Sequence, residues 1–499
     1  MDSLQTETED VRSLQTVIGD AHSIARRSLS RKGLIVLPQS TILKLLNACN
    51  YSINRSKSEN IRDDIYNKSL DVMYSLAGEN SLNLNVRWHI FNILRAELFI
   101  FPDSVITLGS LDELYNKISL YFEHQLRKRL KFSANKTKRN NHIIITTSQF
   151  LSPQHSPTKR VLDYAVTIQN NLKIPVKIIN DALTSFIRCD ELEPSFNSDH
   201  IAVYDEANMV EHEGHEFQFK QMPANSMPNI ELCKQLITLI QSDNPRLVLN
   251  IGGASLVSDI CRKFTDTACL PCSYDIPISC SKYLLVPRPI TEADKPRLGR
   301  IGKTQQIIET NINYSFPNAS KDYCREDFNF DDKNFIISIV GNRLTFEVDE
   351  GLIINLERLL NSYSMIGILV IGEVSDHCAF KVRLGKFSQV NFAGPIQEGS
   401  QAIKITDLFV NPLRKGGGRS VFESLFHGVP VVTPKVGDGY YAAGNDFSIN
   451  KFDDLYDVTS RYLFDKEFYY ALREKALQRS KILGNIVQTQ SKMLEKIFN

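Results

Sequence analysis

Asp407-Leu-Phe-Val-Asn411-Pro412-Leu-Arg414-Lys415-Gly416-Gly417-Gly418-Arg419-Ser420-Val-Phe-Glu423-Ser-Leu-Phe-His427-Gly428-Val-Pro430-Val-Val-Thr433 is the stretch whose reading decides the fold. Leu408 to Val410 is short, apolar and β-prone. Three consecutive glycines then permit close backbone approach and positive φ. From Ser420 to His427 the spacing predicts a helix, with Val421 facing Leu425 and Phe422 facing Phe426 at i+4. Gly428 stops it, and Val429 to Thr433 reads as a buried parallel strand. A helix N-terminus carries amides without intrahelical acceptors and the positive end of the dipole. With Arg414, Lys415 and Arg419 alongside, the turn suits a diphosphate. Glu423, about one turn into the helix, is placed for a ribose hydroxyl. The plainer alternative is an ordinary β-α turn whose glycines only relieve crowding; the motif is neither a Walker loop nor a dinucleotide fingerprint.

Upstream, Phe335 to Val340 is a buried-strand run ending in Gly341-Asn342-Arg343. A helix from Asp349 to Leu360, strands Ile366 to Ile371 and Val390 to Phe392, and a helix near Gly399 lead back to the glycine turn. An earlier alternating series opens with His142 to Thr147, followed by the loop Ser148 to Lys159 and a helix from Arg160 to Asn170. Ser156 is a natural N-cap with Pro157 at the first helical position. His155 therefore sits at the carboxyl end of a first strand, where open α/β sheets place ligands. Val176 to Ile179 and Leu247 to Ile251, the latter ending in Gly252-Gly253, continue the series. Residues from about 10 to 130 read as helices, from apolar spacings such as Trp88, Phe91 and Leu94, with Ser110 expected to cap one helix and Glu113 to complete a capping box.

At 499 residues two or three domains are expected. The expected division is a helical accessory domain at 1–138, a first Rossmann-like domain at 139–330 and a second at 331–499 with C-terminal helices. The net charge of +1 gives no push toward nucleic acid or membrane. The acidic start, Met1 to Asp10, has no apolar core of a secretory signal, and no apolar run reaches membrane-spanning length. Nine cysteines, an odd and scattered count, fit reduced thiols in a cytoplasm. The basic stretch 127–139 reads as a solvated helix end and linker, with peripheral contact to an anionic or lipid surface as its alternative. No metal site is expected. His212 and His215 lack the i, i+4 spacing of a zincin, and Cys269-Leu-Pro-Cys272 has no second CxxC.

Two successive α/β domains with a phosphate-binding turn late in the second suggest a nucleotide-sugar transferase. Over roughly residues 141 to 480 the chain resembles GT-B glycosyltransferases of the O-GlcNAc transferase group, which includes bacterial cytoplasmic N-glycosyltransferases that modify adhesins. That group has a His-x-Pro-Thr loop after a first strand, matched by His155-Ser156-Pro157-Thr158. Its late pattern falls on Asp407, Pro412, Gly416 to Ser420, Glu423 and Gly428-Val429-Pro430. The resemblance implies donor contacts from Asn342, Arg343, Asn411, Lys415, Gly416, Gly417, Gly418, Arg419, Ser420 and Glu423. It implies an acceptor-side loop with Ser156 and Thr158, and His155 as the base or acceptor-orienting group. The family's lysine shortly after the first strand of the donor domain is replaced here, with Thr345 and Phe346 in its place, so Arg343 or Lys415 must supply the cation. The implied activity is inverting, metal-independent transfer from a UDP-sugar co-substrate to a protein or glycan in the cytoplasm. No separate cofactor and no nucleic acid are implied, and a homo-dimer is open. Alternatives are a capsule or cell-surface polysaccharide transferase, a polymerase or epimerase on the same fold, and a non-catalytic scaffold.

Overall fold

The computed structural model describes residues 16, 18–19, 38–59, 64–78, 82–100, 106–128, 130–132, 139–153, 155–184, 200–223, 228–301, 304–316, 321–396 and 398–499. The acidic start of the chain and Arg129, Lys136 and Lys138 of the basic stretch lie outside these residues. The chain divides into two compact units, Met1–Glu309 with Met493–Asn499, and Thr310–Lys492.

The first unit begins with helices α1 (Gln39–Glu59), α2 (Asp64–Ala77), α3 (Leu84–Ile100) and α4 (Leu108–Arg127). α3 is buried on most of its surface, the polar side chains of Arg87, His89, Asn92 and Glu97 included. Trp88, Phe91 and Tyr115 form an aromatic knot with centroid distances of 5.2, 5.4 and 6.2 Å. The cap of α4 lies three residues before the expected Ser110. Thr107 is extended there and its hydroxyl accepts the Ser110 amide at 3.1 Å.

Among the described residues the first sheet has eight strands, in the order β3-β4-β2-β1-β5-β6-β7-β8. They are β1 (Asn140–Thr147), β2 (Val176–Asn180), β3 (Met209–His212), β4 (His215–Gln221), β5 (Pro245–Ile251), β6 (Asp266–Leu270), β7 (Tyr283–Val286) and β8 (Gln306–Glu309). All neighbours are parallel except β3 and β4. The pair His212 and His215 is the end of this hairpin, closed by Glu213 and Gly214 at φ 52° and 76°, the geometry of a tight hairpin turn. Helix α5 (Ser156–Val166) begins earlier than expected: His155 is its N-cap residue and Ser156 its first residue. α6 (Ile230–Asp243) and α7 (Leu256–Ile260) flank β5.

The helical segment and the sheet share one hydrophobic core, in which Phe91, Leu114 and Phe122 join Ile144, Val248 and Val257. Two polar contacts fix the helices to the sheet. Trp88 Nε1 donates to the buried Leu183 carbonyl at 2.7 Å. The Tyr115 hydroxyl donates at 2.5 Å to Asp259, whose carboxylate also accepts the Cys280 amide at 2.7 Å and the Ser281 hydroxyl at 2.8 Å. The C-terminal segment completes the unit: Met493, Leu494 and Ile497 pack with Ile143, Leu249 and Leu285, and the Arg246 guanidinium lies 3.6 Å from the Phe498 ring centroid.

Among the described residues the second unit has a six-stranded sheet in the order β11-β10-β9-β12-β13-β14. Its strands are β9 (Phe335–Val340), β10 (Ile366–Ile371), β11 (Val390–Gly394), β12 (Leu408–Val410), β13 (Val431–Pro434) and β14 (Ser448–Ile449), all parallel. The connecting helices include α8 (Leu344–Glu347), α9 (Glu350–Ser362), α10 (Gly399–Lys404), α11 (Gly418–Phe426) and α12 (Gly437–Ala443), followed by α13 (Lys466–Leu483) and α14 (Ile486–Phe498). Two parallel-dominated α/β units with an N-terminal helical region are the architecture expected from the sequence. No helix among the described residues is long and apolar enough to cross a membrane.

The Trp88 contact is testable. Trp88→Phe keeps most of the apolar volume but leaves the buried Leu183 carbonyl without its donor. The expected loss is about 1–3 kcal/mol of unfolding free energy, read as a lower urea midpoint by far-UV circular dichroism.

Candidate active site

β9 is flanked by β10 on one side and β12 on the other, so the chain order reverses between β9 and β12. In open parallel sheets the crevice beyond the strand carboxyl ends at such a reversal is the ligand position. Two loops meet here: Gly341-Asn342-Arg343 after β9, and Asn411 to Gly417 after β12.

Arg414 holds these loops together. It is buried, and its guanidinium donates to the Asn411 side chain, Glu347 Oε2 and the Val340 carbonyl, each at 2.9 Å. Arg414 therefore does not face a ligand, as the anion-site reading expected, because every face of the guanidinium is engaged inside the fold. Asn411 is likewise fully buried: its amide nitrogen donates to Thr433 Oγ1 at 3.1 Å and its oxygen accepts from Arg414. Its side chain braces the turn from within, where a donor contact was expected.

The crowding reading of the glycines finds direct physical support. Gly417 has φ 91°, and a Cβ there would lie 2.5 Å from Asn411 Oδ1 and 2.6 Å from Arg414 Nε. A Cβ on Gly418 would lie 2.5 Å from the Tyr314 hydroxyl. Crowding alone thus demands glycine at both positions. It also explains why α11 begins at Gly418, two residues before the expected start: the backbone is already helical where no side chain fits. The result remains a nine-residue helix whose first amides point out of the β12 end of the sheet.

The cations differ in availability. Arg343 is half exposed and donates through Nε and Nη2 to Glu347 Oε1 at 3.1 and 2.9 Å. Arg419 donates to Glu423 at 2.7 Å, one helical turn along α11, so the two residues expected to hold diphosphate and ribose are paired with each other. Lys415 is partly exposed, and its carbonyl accepts the Asp438 amide at 2.7 Å. Ser420 is partly exposed in the first turn of α11, and Asn342 is exposed after β9. Glu347 is buried; burial pushes its carboxyl up, but Arg414 and Arg343 outweigh it and hold the group below the ordinary value.

Two elements of the site lay outside the sequence reading. The loop after β13 lies over the glycine turn. A Cβ on Gly437 would come 2.3 Å from the Arg414 carbonyl, and one on Gly439 would come 2.3 Å from Asn411 Nδ2. The signal Gly437-Asp438-Gly439 is visible in the sequence, but its partner is not. Tyr314 stacks on Phe422 with centroids 5.1 Å apart and puts its hydroxyl beside Gly418, which no local pattern announces. Beside the turn, a groove of about 520 Å³ crosses the carboxyl ends of β9, β10 and β11, lined by Asn342, Arg343, Phe346, Glu373, Lys381 and Phe392 among others. Phe346 is exposed on its wall.

In the first unit His155 is partly exposed, and its Nδ1 lies 3.1 Å from the Thr158 hydroxyl. Thr158 is fully buried and accepts the Leu151 amide at 2.8 Å, so it braces the loop instead of meeting an acceptor. Ser156 is exposed. Asp407 lies at the opposite, amino end of β12, where it accepts the Ile336 amide at 2.8 Å and pairs with Arg325 at 3.1 Å. Among the described residues no cluster of histidine, cysteine or acidic side chains could hold a metal ion.

No protein-family model and no curated protein matches the sequence. Solved structures do match. Anabaena Alr3699/HepE in complex with UDP and glucose superposes with a TM-score of 0.51 at 12% identity, covering 71% of this chain and 99% of that one. A mutant of Thermobaculum terrenum O-GlcNAc transferase gives a TM-score of 0.50 at 12% identity and covers 97% of both chains. The fold is GT-B. In a GT-B chain the glycine turn before α11 and the groove beside it belong to one α/β unit, and the His155 loop to the other.

One side chain near the turn is a pH sensor for stability. His427, at the end of α11, bonds Ser400 through Nε2 at 3.0 Å; burial first, and then Lys404, lowers its pKa from 6.5 to about 4. Between these values the unfolded chain binds the extra proton, so His427 contributes stability fully above pH 6.5 and loses it as pH falls toward 4. His427→Gln is expected to flatten the pH dependence of thermal unfolding across that window.

Proposed function

We propose that this protein is a glycosyltransferase that moves a sugar from a UDP-sugar to a protein or glycan acceptor, with inversion and without a metal. The observation that carries the reading is the glycine turn opening α11 at the β9–β12 reversal, next to a groove large enough for a nucleoside. The bound UDP and glucose of HepE, a chain of the same fold, favour this donor class.

In this reading the amides of Gly416 to Ser420 and the α11 dipole take the diphosphate, as helix N-termini take anions. Arg343 faces it from the β9 loop, and Arg419 and Lys415 flank it. Glu423 takes the ribose diol, which requires it to share or release Arg419. The nucleobase lies in the groove walled by Phe346 and Phe392. An acceptor oxygen or amide nitrogen attacks the anomeric carbon from the face opposite the diphosphate. As the new bond forms, the bond from that carbon to the diphosphate oxygen breaks, and its electron pair leaves with UDP. The acceptor's proton passes to His155. Amides and guanidiniums neutralise the developing charge on the leaving group, a role that needs no metal.

Calorimetric titration with UDP, set against GDP and CDP, tests the donor site. UDP binding is expected in the wild type and is expected to weaken about tenfold or more in a Lys415→Ala/Arg419→Ala double variant, whose two positions are both partly exposed and whose circular dichroism is expected to match the wild type. Absence of nucleotide binding by the wild type would overturn the enzyme reading in favour of a scaffold. His155→Ala is expected to abolish transfer, by about 10²–10⁴-fold in turnover, while UDP affinity stays as it was. Unchanged turnover would remove His155 from the mechanism.

A further inference from the structure

The contact among Arg343, Glu347 and Arg414 does more than the donor reading has used. Glu347 accepts Arg343 on Oε1 and Arg414 on Oε2, so one carboxylate is shared by two guanidiniums. The trio carries a net charge of +1. Arg414 and Glu347 are sealed at 6% and 5% side-chain exposure, whereas Arg343 is 43% exposed and lines the groove. Of the three, Arg343 lines the groove. Arg419 and Glu423 form a one-to-one pair. The two arginine–glutamate contacts look alike, but in the first the carboxylate is also held by a second, buried guanidinium.

The same contact fixes geometry. Arg343 meets Glu347 through both Nε and Nη2, which sets the plane of its guanidinium. A surface arginine held only by solvent would lose its rotamer freedom on meeting a diphosphate. Glu347 sits on α8, a four-residue helix too short to be stable by itself, and Arg414 pins it to the Val340 carbonyl and to Asn411.

We infer that Glu347 is a positioning residue for the proposed transfer: it holds Arg343 against the donor diphosphate, and Arg414 is the buried counter-charge that holds Glu347. This rests on the donor-site reading above.

The test is a double-variant cycle on the full chain, with UDP and uridine as probes in calorimetry. Glu347→Gln and Arg343→Ala are each expected to weaken UDP by about tenfold to a hundredfold, and to leave uridine binding as it was, because uridine has no diphosphate. The double variant is expected to be no weaker than Arg343→Ala alone, since the two act as one unit. Arg343→Lys keeps the charge but not the two-point contact, and is expected to recover little of the loss. It sits at the surface, so it reports even if Glu347→Gln unfolds. The inference is overturned if Glu347→Gln leaves UDP affinity intact, if it weakens uridine equally, if the two losses add, or if Lys415→Ala carries the loss while Arg343→Ala does not. A wild type that binds uridine and UDP equally also overturns it. A wild type that binds neither overturns the donor reading itself, and this inference with it.

Discussion

A single buried guanidinium organises the second unit. Arg414 leaves the glycine turn, passes between two strand-end loops and ends on the Val340 carbonyl, Glu347 and Asn411. Burying a charge this deeply is unfavourable unless every donor finds an acceptor, and removing one partner of such a pair costs about 3–5 kcal/mol. The local glycines follow from it. Gly341 has no room for a Cβ because Arg414 Nη1 would lie 2.5 Å away, and Gly417 is barred by Arg414 Nε. Gly437 crosses the Arg414 carbonyl from the other side. The glycine-rich turn is thus a packing solution first.

The first unit has a comparable node at Asp259. Its carboxylate collects a phenol from α4, a backbone amide and serine hydroxyls from the segment before β7. Burial and the neighbouring carboxylate push the Tyr115 phenol well above its ordinary range, so it stays a donor. Helices and sheet share a core around this node. The composition change near residue 138 is real in the sequence, but the apolar contacts run across it.

The parallel strands were the legible part of the chain. Phe335–Val340, apolar apart from the buried Ser338, and Ile366–Ile371, apolar throughout, read as buried strands, and both fall where their sequence puts them. Helix starts were less legible because caps compete. Ser110 offers a capping box, but Thr107 has the extended backbone, and Ser156 became the first residue of the helix it was expected to cap. Polar side chains near the site were the least legible. Asn411, Thr158 and Arg414 have the right chemistry and the right neighbours in sequence, yet their side chains point inward. Thr433 and Glu347, distant in the chain, decide that for Asn411 and Arg414, and the fold of its own loop back onto Leu151 decides it for Thr158. Glu347 itself gave no signal, with Asp349 and Glu350 close behind it in the chain, and Tyr314 reaches α11 from over a hundred residues away.

The C-terminal segment has a consequence for biosynthesis. Met493, Leu494 and Ile497 fill the core under β1, β5 and β7, although all other residues of that unit precede Thr310. A ribosome delivers the chain from its N-terminus, so the whole first sheet has emerged long before these side chains exist. Until they arrive, the core around Ile143, Leu249 and Leu285 lacks three of its side chains. The second unit, by contrast, is contiguous and has all its parts at Lys492. The unit whose strands come first in the chain therefore takes its last core residues from beyond the other unit.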